Sequence, residues 1–368
     1  MKYFFVVAAV LAVVNSHAQI EPLTLEPDGG NKKASVSEQI GIVKVSINYN
    51  RPGVKGREGK IWNTSVAHYG FTDLGHGTTH AAPWRAGANE NTTISFSHAV
   101  RIEGKDLAAG TYGFFIALGE DENTLIFSKV NNSWGSFYYD STQDALRVKV
   151  KNRTLDKSVE WLRYDFIDQS DSTVMIALSW EKRMIAFNVE ADRKALQIAA
   201  FQSDFRTTRP YYDFISAAYW CIQNNYALDQ ALAWMDRAIY FRIMGEKNFR
   251  TLSTKANVLI KMNRIDEAKK VMEEAIPMGT VTDIHFYGRQ LLNLNQVDNA
   301  FKVFQGNYDK HPKEFTTNVG MGRAYSAKGN YKQALIYMEA ALPLAPDEGS
   351  KNSVQSMISK LKEGKNIN

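Results

Sequence analysis

The sequence predicts a multidomain β plus α protein, in which an antiparallel β-sandwich is followed by an all-α domain of helical repeats. Up to about residue 190, apolar and polar residues alternate with period two between glycine-rich turns, as they do in half-buried strands. Beyond that point helical periodicity takes over, and small residues recur at a spacing near 34 residues, which is typical of stacked helix pairs. The expected divisions are 1–18, a lead-in over 19–33, a β domain over 34–190 and repeats over 191–368.

Residues 1–18 are expected to be an export signal. Met1-Lys2 gives a positive start, an unbroken apolar run covers 3–14, and Asn15 to Ala18 ends in a small-residue cleavage pattern. The apolar run is too short to cross ~30 Å of hydrocarbon at 1.5 Å per residue. We therefore expect no membrane span and a periplasmic or extracellular location.

Charge and cysteine content narrow the possible functions. The formal net charge is +5, and both signs are scattered along the chain without a basic tract, so we expect no nucleic-acid partner. The single cysteine, Cys221, excludes an internal disulfide and cysteine-cluster zinc sites. We expect no cofactor. An exported protein stabilised by packing alone fits a bacterial envelope.

The β domain should contain seven to nine short strands. The first alternating run covers 42–49. Turn signals such as Gly104 and Gly110 separate the later runs, and turns this frequent indicate an antiparallel sandwich or barrel. The remaining runs are 93–96, 100–102, 112–118, 125–127, 146–150, 159–166, 174–180 and 184–189.

Several segments of this half resemble a known family, the domain of unknown function 2911. They occur in order over about 85 residues, and they are Arg51 to Arg57, Ile61-Trp62, Trp84 to Thr93, Ile102 to Gly113 and Trp134-Gly135. The resemblance implies an exported bacterial protein, often with helical repeats behind the domain, and no established activity. Extra residues between Gly70 and Pro83 depart from the family pattern.

The sequence suggests a polar ligand pocket around 84–93. Arginine and asparagine side chains bind carboxylates, phosphates or sugar hydroxyls, and tryptophan can stack on an apolar face. The alternative is structural: an Arg–Glu pair and an asparagine that tie irregular backbone together. The residues assigned to ligand binding are Arg51, Arg57, Trp84, Arg85, Asn89 and Glu90.

An enzyme is the less favoured alternative. His68, His76 and His80 lie close in sequence, but Gly77 argues against a helix that would place the last two on one face. We therefore assign no metal site, and solvent-facing loop histidines are the simpler interpretation. No nucleophile elbow is present, and nothing selects a catalytic carboxylate pair. A metal-dependent or carboxylate-based hydrolase near 84–93 remains the alternative.

The helical half repeats a frame of small residues. After a leading helix over 191–205, this frame resembles the tetratricopeptide repeat, a helix–turn–helix unit of 34 residues. The last copy fits best, and the first two depart from the pattern, with Tyr219 and Ala256 at its small position. The four frames are Ala231, Met235 and Ala238; Ala268, Met272 and Ala275; Ala300, Phe304 and Asn307; and Ala334, Met338 and Ala341.

Stacked repeats build a concave binding surface rather than a chemical site. In this frame Trp220, Asn257, Arg289 and Arg323 take equivalent positions on it. The two arginines with Asn257 are predicted to bind an acidic peptide or a terminal carboxylate. The sequence thus favours a binding and scaffolding protein of the bacterial envelope. Its repeats would engage a protein partner and its β domain an envelope component such as a glycan.

Overall fold

A computed structural model describes residues 30–368 of the chain. The predicted export signal and nearly all of the predicted lead-in lie outside the described residues. The chain divides into two compact units between Arg193 and Lys194, and each unit is described by itself.

The first unit is built on nine strands connected in one antiparallel hydrogen-bonded ladder, in the order β1-β2-β3-β6-β7-β8-β9-β4-β5. The strands are β1 (Lys32–Ile40), β2 (Val43–Arg51), β3 (Thr92–Phe96), β4 (Val100–Ile102), β5 (Lys105–Leu107), β6 (Gly110–Ala117), β7 (Glu122–Ser128), β8 (Asp144–Ile167) and β9 (Thr173–Glu190).

Two of the observed strands, β1 and β5, were not predicted from the sequence. Four of the predicted strands form only two, β8 and β9. β1 begins inside the predicted lead-in, and β5 follows a turn signal directly. The runs 146–150 and 159–166 belong to β8, and the runs 174–180 and 184–189 belong to β9. Register shifts interrupt the β8–β9 pairing on either side of Val159. Such irregularities bend a strand without ending it, which is why the alternation is broken there.

The ladder folds over onto itself around an aromatic core. In a flat sheet, β6 and β9 would lie about 14 Å apart, three strand spacings of ~4.8 Å. The rings of Phe114 on β6 and Phe187 on β9 are nevertheless 5.7 Å apart. Tyr49 on β2 likewise meets Tyr164 on β8 at 4.7 Å. This two-layered packing confirms the predicted sandwich, with the layers joined by continuous hydrogen bonding through the long β8 and β9.

The connection between β2 and β3, residues 52–91, has no strand or helix of its own. Connections this long in a compact domain are uncommon and are often functional. Isolated bridges tie it to the sheet, among them Trp84 to Ile116, which exchange backbone hydrogen bonds of 3.0 and 2.9 Å. A second bridge joins Tyr69 to Leu118. The long connection is therefore held firmly against β6.

The second unit is helical. Its helices are α1 (Arg193–Asp204), α2 (Tyr211–Asn224), α3 (Leu228–Tyr240), α4 (Phe249–Lys261), α5 (Ile265–Ala275), α6 (Val281–Asn293), α7 (Val297–Lys310), α8 (Phe315–Ala327), α9 (Tyr331–Ala341) and α10 (Glu348–Lys362). α2 pairs with α3, α4 with α5, α6 with α7 and α8 with α9. These four hairpins are the four predicted repeats. None of the helices within residues 30–368 is long and apolar enough to cross a membrane.

The recurring small residues allow the helices of each hairpin to approach closely. The leading alanine of each predicted frame is buried, at 2% exposure or less. A Cβ on Gly288 would stand 2.6 Å from Phe304, and one on Gly322 would stand 2.7 Å from Met338. In the third and fourth hairpins, the large residue of the second helix thus fills the space left by a glycine in the first. Capping boxes at Asn248 and Thr280 begin α4 and α6.

In the first hairpin the predicted frame is wrong by one residue. Ala218 is fully buried in the same cluster as Met235, whereas Tyr219 is 41% exposed. Ala218 therefore occupies the small position, and Tyr219 is the residue equivalent to Asn257. Trp220 packs edge-on against Phe201 of α1, with the ring centroids 5.8 Å apart. Ala218 and Ala231 are 13 positions apart, whereas the corresponding residues are 12 apart in the other three hairpins, so the extra residue lies within the first hairpin.

Candidate functional site

Part of the predicted ligand pocket is a real cavity in the β unit, formed by the long connection 52–91 against β9 and the loop after β7. Its volume is about 280 Å³, close to the lower end of small-molecule sites. We call it the Arg85 cavity. It is lined by Asn31, Pro52, Arg57, Ser65, Val66, His68, Leu74, Trp84, Arg85, Gly87, Ala88, Asn89, Ser136 and Trp180.

Arg85 is the most constrained side chain of this cavity. Its Nη1 donates a 2.8 Å hydrogen bond to the carbonyl of Asn89, and its guanidinium lies 4.9 Å from the ring centre of Phe137. The backbone of Gly135 passes so close that a Cβ there would stand 2.3 Å from Cζ of Arg85. Burial lowers the pKa of Arg85. Within residues 30–368, no carboxylate forms an ion pair with it.

Three tryptophans pack together, and two of them, Trp84 and Trp180, line the Arg85 cavity. Trp84 and Trp180 are stacked at 6.3 Å with an interplanar angle of 6°, and Trp62 meets both rings edge-on. Nε1 of Trp62 donates a 2.8 Å hydrogen bond to Glu181. Trp180 is fully buried, and its Nε1 has no hydrogen-bond partner among the described residues. An indole N–H in this position is a donor without an acceptor.

His68 lines the Arg85 cavity. The sequence predicts only a solvent-facing loop histidine at this position. Its Nδ1 is buried without a hydrogen-bond partner in the part of the chain that the structure describes. Burial, with a contribution from the charge of Arg85, lowers the pKa of His68. No sequence signal separates His68 from the exposed loop histidines, because only the folded connection buries it.

The predicted pocket residues divide into two groups. Arg57, Trp84, Arg85 and Asn89 line the Arg85 cavity. Arg51 does not, since its Nε donates a 2.8 Å hydrogen bond to the carbonyl of Leu162.

Arg57 and Glu90 also have structural contacts. Arg57 donates to the carbonyls of Val54 and Gly53 at 3.0 and 2.7 Å. Glu90 accepts hydrogen bonds from Lys33 and from Asn50, both 2.8 Å long. The hydrogen bond from Lys33 is the main cause of a lowered pKa of Glu90. The structural alternative therefore accounts for part of this set.

Glu90 faces a second concave surface, an open groove of about 690 Å³ beside β1, β2 and β3. We call it the amide groove because carboxamide side chains dominate its walls. Trp134 lies at its edge and is 56% exposed. The Nδ2 of Asn91 is buried without a hydrogen-bond partner among the described residues. The amide groove is lined by Lys33, Ala34, Ser35, Asn48, Tyr49, Asn50, Glu90, Asn91, Thr93, Asn131, Asn132, Ser133 and Trp134.

The structure does not gather the three loop histidines. Nδ1 of His80 pairs with Asp73 at 2.7 Å on the surface, His76 lies edge-on to Phe137, and His68 faces the Arg85 cavity. Over residues 30–368, no group of three histidine, cysteine or acidic side chains is arranged to hold a metal ion. The walls of the Arg85 cavity contain no carboxylate. The hydrolase alternative near 84–93 therefore gains no support from this geometry.

The helical unit carries a basic cluster at the predicted peptide surface. Arg289 on α6 is exposed, and His285 lies one turn earlier on the same helix. Arg323 on α8 is half-buried; its Nη1 donates a 3.0 Å hydrogen bond to the carbonyl of Ile367. Burial, then the charges of Arg323 and Arg289, lower the pKa of His285 to about 4.

Two buried nitrogen atoms of this cluster lack hydrogen-bond partners. They are Nε of Arg323 and Nδ1 of His285, as judged from the described residues. Neither Arg289 nor Arg323 forms an ion pair with a carboxylate within 30–368. The third predicted residue, Asn257, accepts a short hydrogen bond from Gln290 through its Oδ1. The cluster is therefore a concentration of positive charge without a counter-charge.

Four stacked helix hairpins with a small-residue frame form a helical unit of tetratricopeptide-like repeats, and repeats of this kind suggest a scaffold for protein–protein interaction. Residues 249–276 and 316–348 match the tetratricopeptide repeat model, which are the second and fourth hairpins. Residues 31–189 match the family described as "Protein of unknown function (DUF2911)". Both resemblances predicted from the sequence are confirmed.

Solved structures with similar folds are distant. One is YrrB, described as a tetratricopeptide protein with an unusual peptide-binding site, at 20% identity over 45% of this chain and 84% of that chain, with a TM-score of 0.29. A tetratricopeptide protein from Parabacteroides merdae matches at 14% identity over 42% of this chain and 60% of that one, with a TM-score of 0.32. MamA matches at 14% identity over 44% and 87%, with a TM-score of 0.26. No curated protein matches the chain.

Proposed function

We propose that this chain is an exported binding and scaffolding protein whose helical repeats bind an acidic segment of a protein partner. The single observation that carries the proposal is the basic cluster of His285, Arg289 and Arg323, which has no acidic partner in residues 30–368. The charge of Arg289, after burial, lowers the pKa of Arg323. Like charges held together are unfavourable, and a carboxylate from a partner would relieve that repulsion.

The ligand chemistry follows from the donors that remain available. Arg289 is exposed and offers an unpaired guanidinium, and Nε of Arg323 is a buried donor without an acceptor. Hydrogen bonds from guanidinium to carboxylate are charge-assisted and stronger than neutral ones. An aspartate or glutamate side chain, or a terminal carboxylate, supplies acceptors for both. Tyr219, 41% exposed at the equivalent position of the first hairpin, extends the same row with an aromatic surface.

A labelled peptide of alternating aspartate and serine with a free terminal carboxylate tests this proposal directly, with fluorescence anisotropy as the measurement. Arg289→Gln should weaken binding at least about tenfold, because a hydrogen bond to a charged group contributes about 1.5–3 kcal/mol. The melting temperature should not fall, since Arg289 is exposed and forms no ion pair in the described chain, and its loss relieves the repulsion with Arg323. Arg323→Gln should weaken binding and also lower stability, because it removes the bond to Ile367.

The matched control is Arg242→Gln, which neutralises an exposed arginine in the loop between α3 and α4. It should bind as the unchanged chain does. A peptide with asparagine in place of aspartate and an amidated C-terminus should bind weakly to all variants. Equal binding of the aspartate and asparagine peptides, or an Arg289→Gln variant that binds as tightly as the unchanged protein, would overturn the proposal.

A specific observation favours a second role, glycan recognition, for the β unit. The amide groove combines a 56% exposed Trp134 with several asparagine side chains. Carboxamides both donate to and accept from sugar hydroxyls, and an exposed indole face suits the apolar face of a sugar ring. Trp134→Ala should abolish retention of the protein on immobilised cell-wall polysaccharide, while Tyr138→Ala, which removes another exposed aromatic residue, should leave it unchanged. Retention of the Trp134 variant would reject this role.

Export to the bacterial envelope is the third part of the proposal. Support comes from the sequence of the first eighteen residues and from the single cysteine. Expression of the whole chain in a bacterium, followed by fractionation, tests it. We expect a periplasmic or extracellular product that lacks residues 1–18. A product that keeps these residues in the cytoplasmic fraction would exclude export.

A further inference from the structure

The lining of the Arg85 cavity carries positive charge without an acidic side chain. Arg57 and Arg85 both line it, and no aspartate or glutamate does. Buried or half-buried arginines are normally paired with an acid, because an isolated charge is costly to remove from water. Two nitrogen atoms of Arg57 donate hydrogen bonds to the carbonyls of Val54 and Gly53. Nη1 of Arg85 donates to the carbonyl of Asn89. The guanidinium of Arg85 has no acidic partner within the described chain.

Neutral side chains complete the lining of this cavity of about 280 Å³. Trp180 and His68 are among them, but Nε1 of Trp180 and Nδ1 of His68 are buried atoms that present no surface to the cavity. The lining therefore offers no negative charge to the two arginines.

We propose that the Arg85 cavity binds a small organic carboxylate, which pairs with the guanidinium of Arg85. A carboxylate has acceptors only, and two oxygen atoms provide about four lone-pair directions. It supplies both the hydrogen-bond acceptors and the negative charge that the two arginines of this cavity lack. This site lies in the β unit and shares no residue with the basic cluster of the helical unit. Carboxylate binding here is therefore independent of the proposed peptide binding.

The cavity also limits the remainder of the ligand. Val66, Leu74 and the stacked rings of Trp84 and Trp180 give it apolar walls, while Ser65 and Ser136 add hydroxyl groups. A volume of about 280 Å³ admits one carboxylate with a single ring or a short chain. An extended peptide or an oligosaccharide exceeds that space.

A structural role for Arg85 explains less of the geometry. Its bond to Asn89 and its contact with Phe137 hold the loop around Gly135 in place. They leave the missing counter-charge of Arg57 and Arg85 unexplained, whereas a bound carboxylate supplies it.

The test uses the full chain with ¹⁵N-labelled tryptophan, in which seven indole N–H signals are expected. Trp180→Phe assigns the signal of interest by its loss. Acetate, pyruvate, benzoate and glucuronate are titrated separately, with benzamide as the neutral counterpart of benzoate and inorganic phosphate as the competing anion. At least one carboxylate should shift the Trp180 signal saturably, with the signal of the exposed Trp134 unchanged. Benzamide should produce no shift.

Variants place the binding in the cavity. Arg85→Gln should weaken the best carboxylate at least tenfold, and Arg51→Gln, which neutralises an arginine outside the cavity, should not. If Arg85→Gln does not fold, His68→Gln gives the same comparison, with His80→Gln as its exposed control. The proposal is overturned if no carboxylate shifts the Trp180 signal, if benzamide shifts it as benzoate does, or if phosphate alone saturates the site.

Discussion

The imidazole of His285 on α6 packs against the backbone of Gly320 on α8. A Cβ on Gly320 would stand 3.3 Å from Nδ1 of His285 and 2.6 Å from the ring of Phe304. The first helices of the third and fourth hairpins can therefore approach closely only because residue 320 has no side chain. This approach places His285 beside Arg323, and it creates the basic cluster.

Gly320→Ala should destabilise the helical unit. The added methyl group cannot fit without displacing Phe304, and overpacking of this kind costs about 1–3 kcal/mol. Gly306→Ala is the matched control, because a Cβ there meets nothing within 4 Å and alanine in a helix interior is favoured over glycine by up to ~1 kcal/mol. Urea unfolding measures both variants. Equal stabilities would show that α6 and α8 are not tightly packed at this position.

The burial of His285 makes stability depend on pH. Its pKa falls from 6.5 to about 4 in the folded protein, so the unfolded chain binds the proton more readily. Stability contributed by neutral His285 is complete above the unfolded value of 6.5. It is lost as the pH falls towards 4, by up to about 3 kcal/mol at 1.36 kcal/mol per pKa unit.

His285→Gln separates this effect from the titration of carboxylates, because glutamine is neutral at every pH. The difference in unfolding free energy between the unchanged chain and this variant should shrink steadily as the pH falls from 6.5 to 4. The acidic peptide should raise the pKa of His285, followed by its imidazole NMR signal. A difference in stability that is constant over this range would contradict the buried neutral state.

Gly135→Ala should disturb Arg85. The residue has a φ of +63°, and a Cβ there would stand 2.3 Å from Cζ of Arg85. Gly104→Ala is the matched control, since Gly104 has a similar φ of +76° but open space around it. Backbone strain of about 1 kcal/mol is common to both. The additional loss for Gly135→Ala, in thermal unfolding and in carboxylate binding, reports the displacement of Arg85. Identical behaviour of the two variants would show that Arg85 can move at little cost.

Tyr287 couples the second and third hairpins. It packs against the apolar clusters of both, whereas direct contact between α5 and α6 is sparse among the described residues. Repeat arrays unfold together only when neighbouring units are coupled. Tyr287→Ala should therefore cost about 2–4 kcal/mol and split urea unfolding into two transitions. Phe286→Ala, one residue away but 58% exposed, should retain one transition. A single transition in the Tyr287 variant would assign the coupling to other contacts.

Local patterns in the sequence were sufficient for most of the architecture. Apolar runs located β2, β3, β4, β6 and β7. Burial alternates along β2, β3 and β4, whereas β6 and β7 are largely buried on both faces. Period-two alternation split β8 and β9, since bulges around Val159 break this pattern where pairing continues. In the first hairpin one extra residue between Ala218 and Ala231 displaced the predicted frame to Tyr219, and burial of Ala218 corrects it.

The residues of the candidate sites could be predicted only in part from the sequence. Arg57, Trp84, Arg85 and Asn89 were identified and do line one cavity, because they lie near one another along the connection or at its first turn. Trp180, from a strand far along the chain, and His68 gave no sequence signal as cavity residues. The unpaired charge at Arg289 and Arg323 was anticipated from repeat spacing, whereas the contribution of His285 was not.

The sequence by itself determined the division into a β half and a repeat half, the family resemblance of each, and the row of residues along the first helices. These features depend on periodicity and spacing, which local chain geometry enforces. Tertiary structure alone decided which polar atoms were left without partners. Burial of His68, Trp180 and His285 arises where distant segments close over one another, and the desolvation that this imposes cannot be inferred from neighbours in sequence.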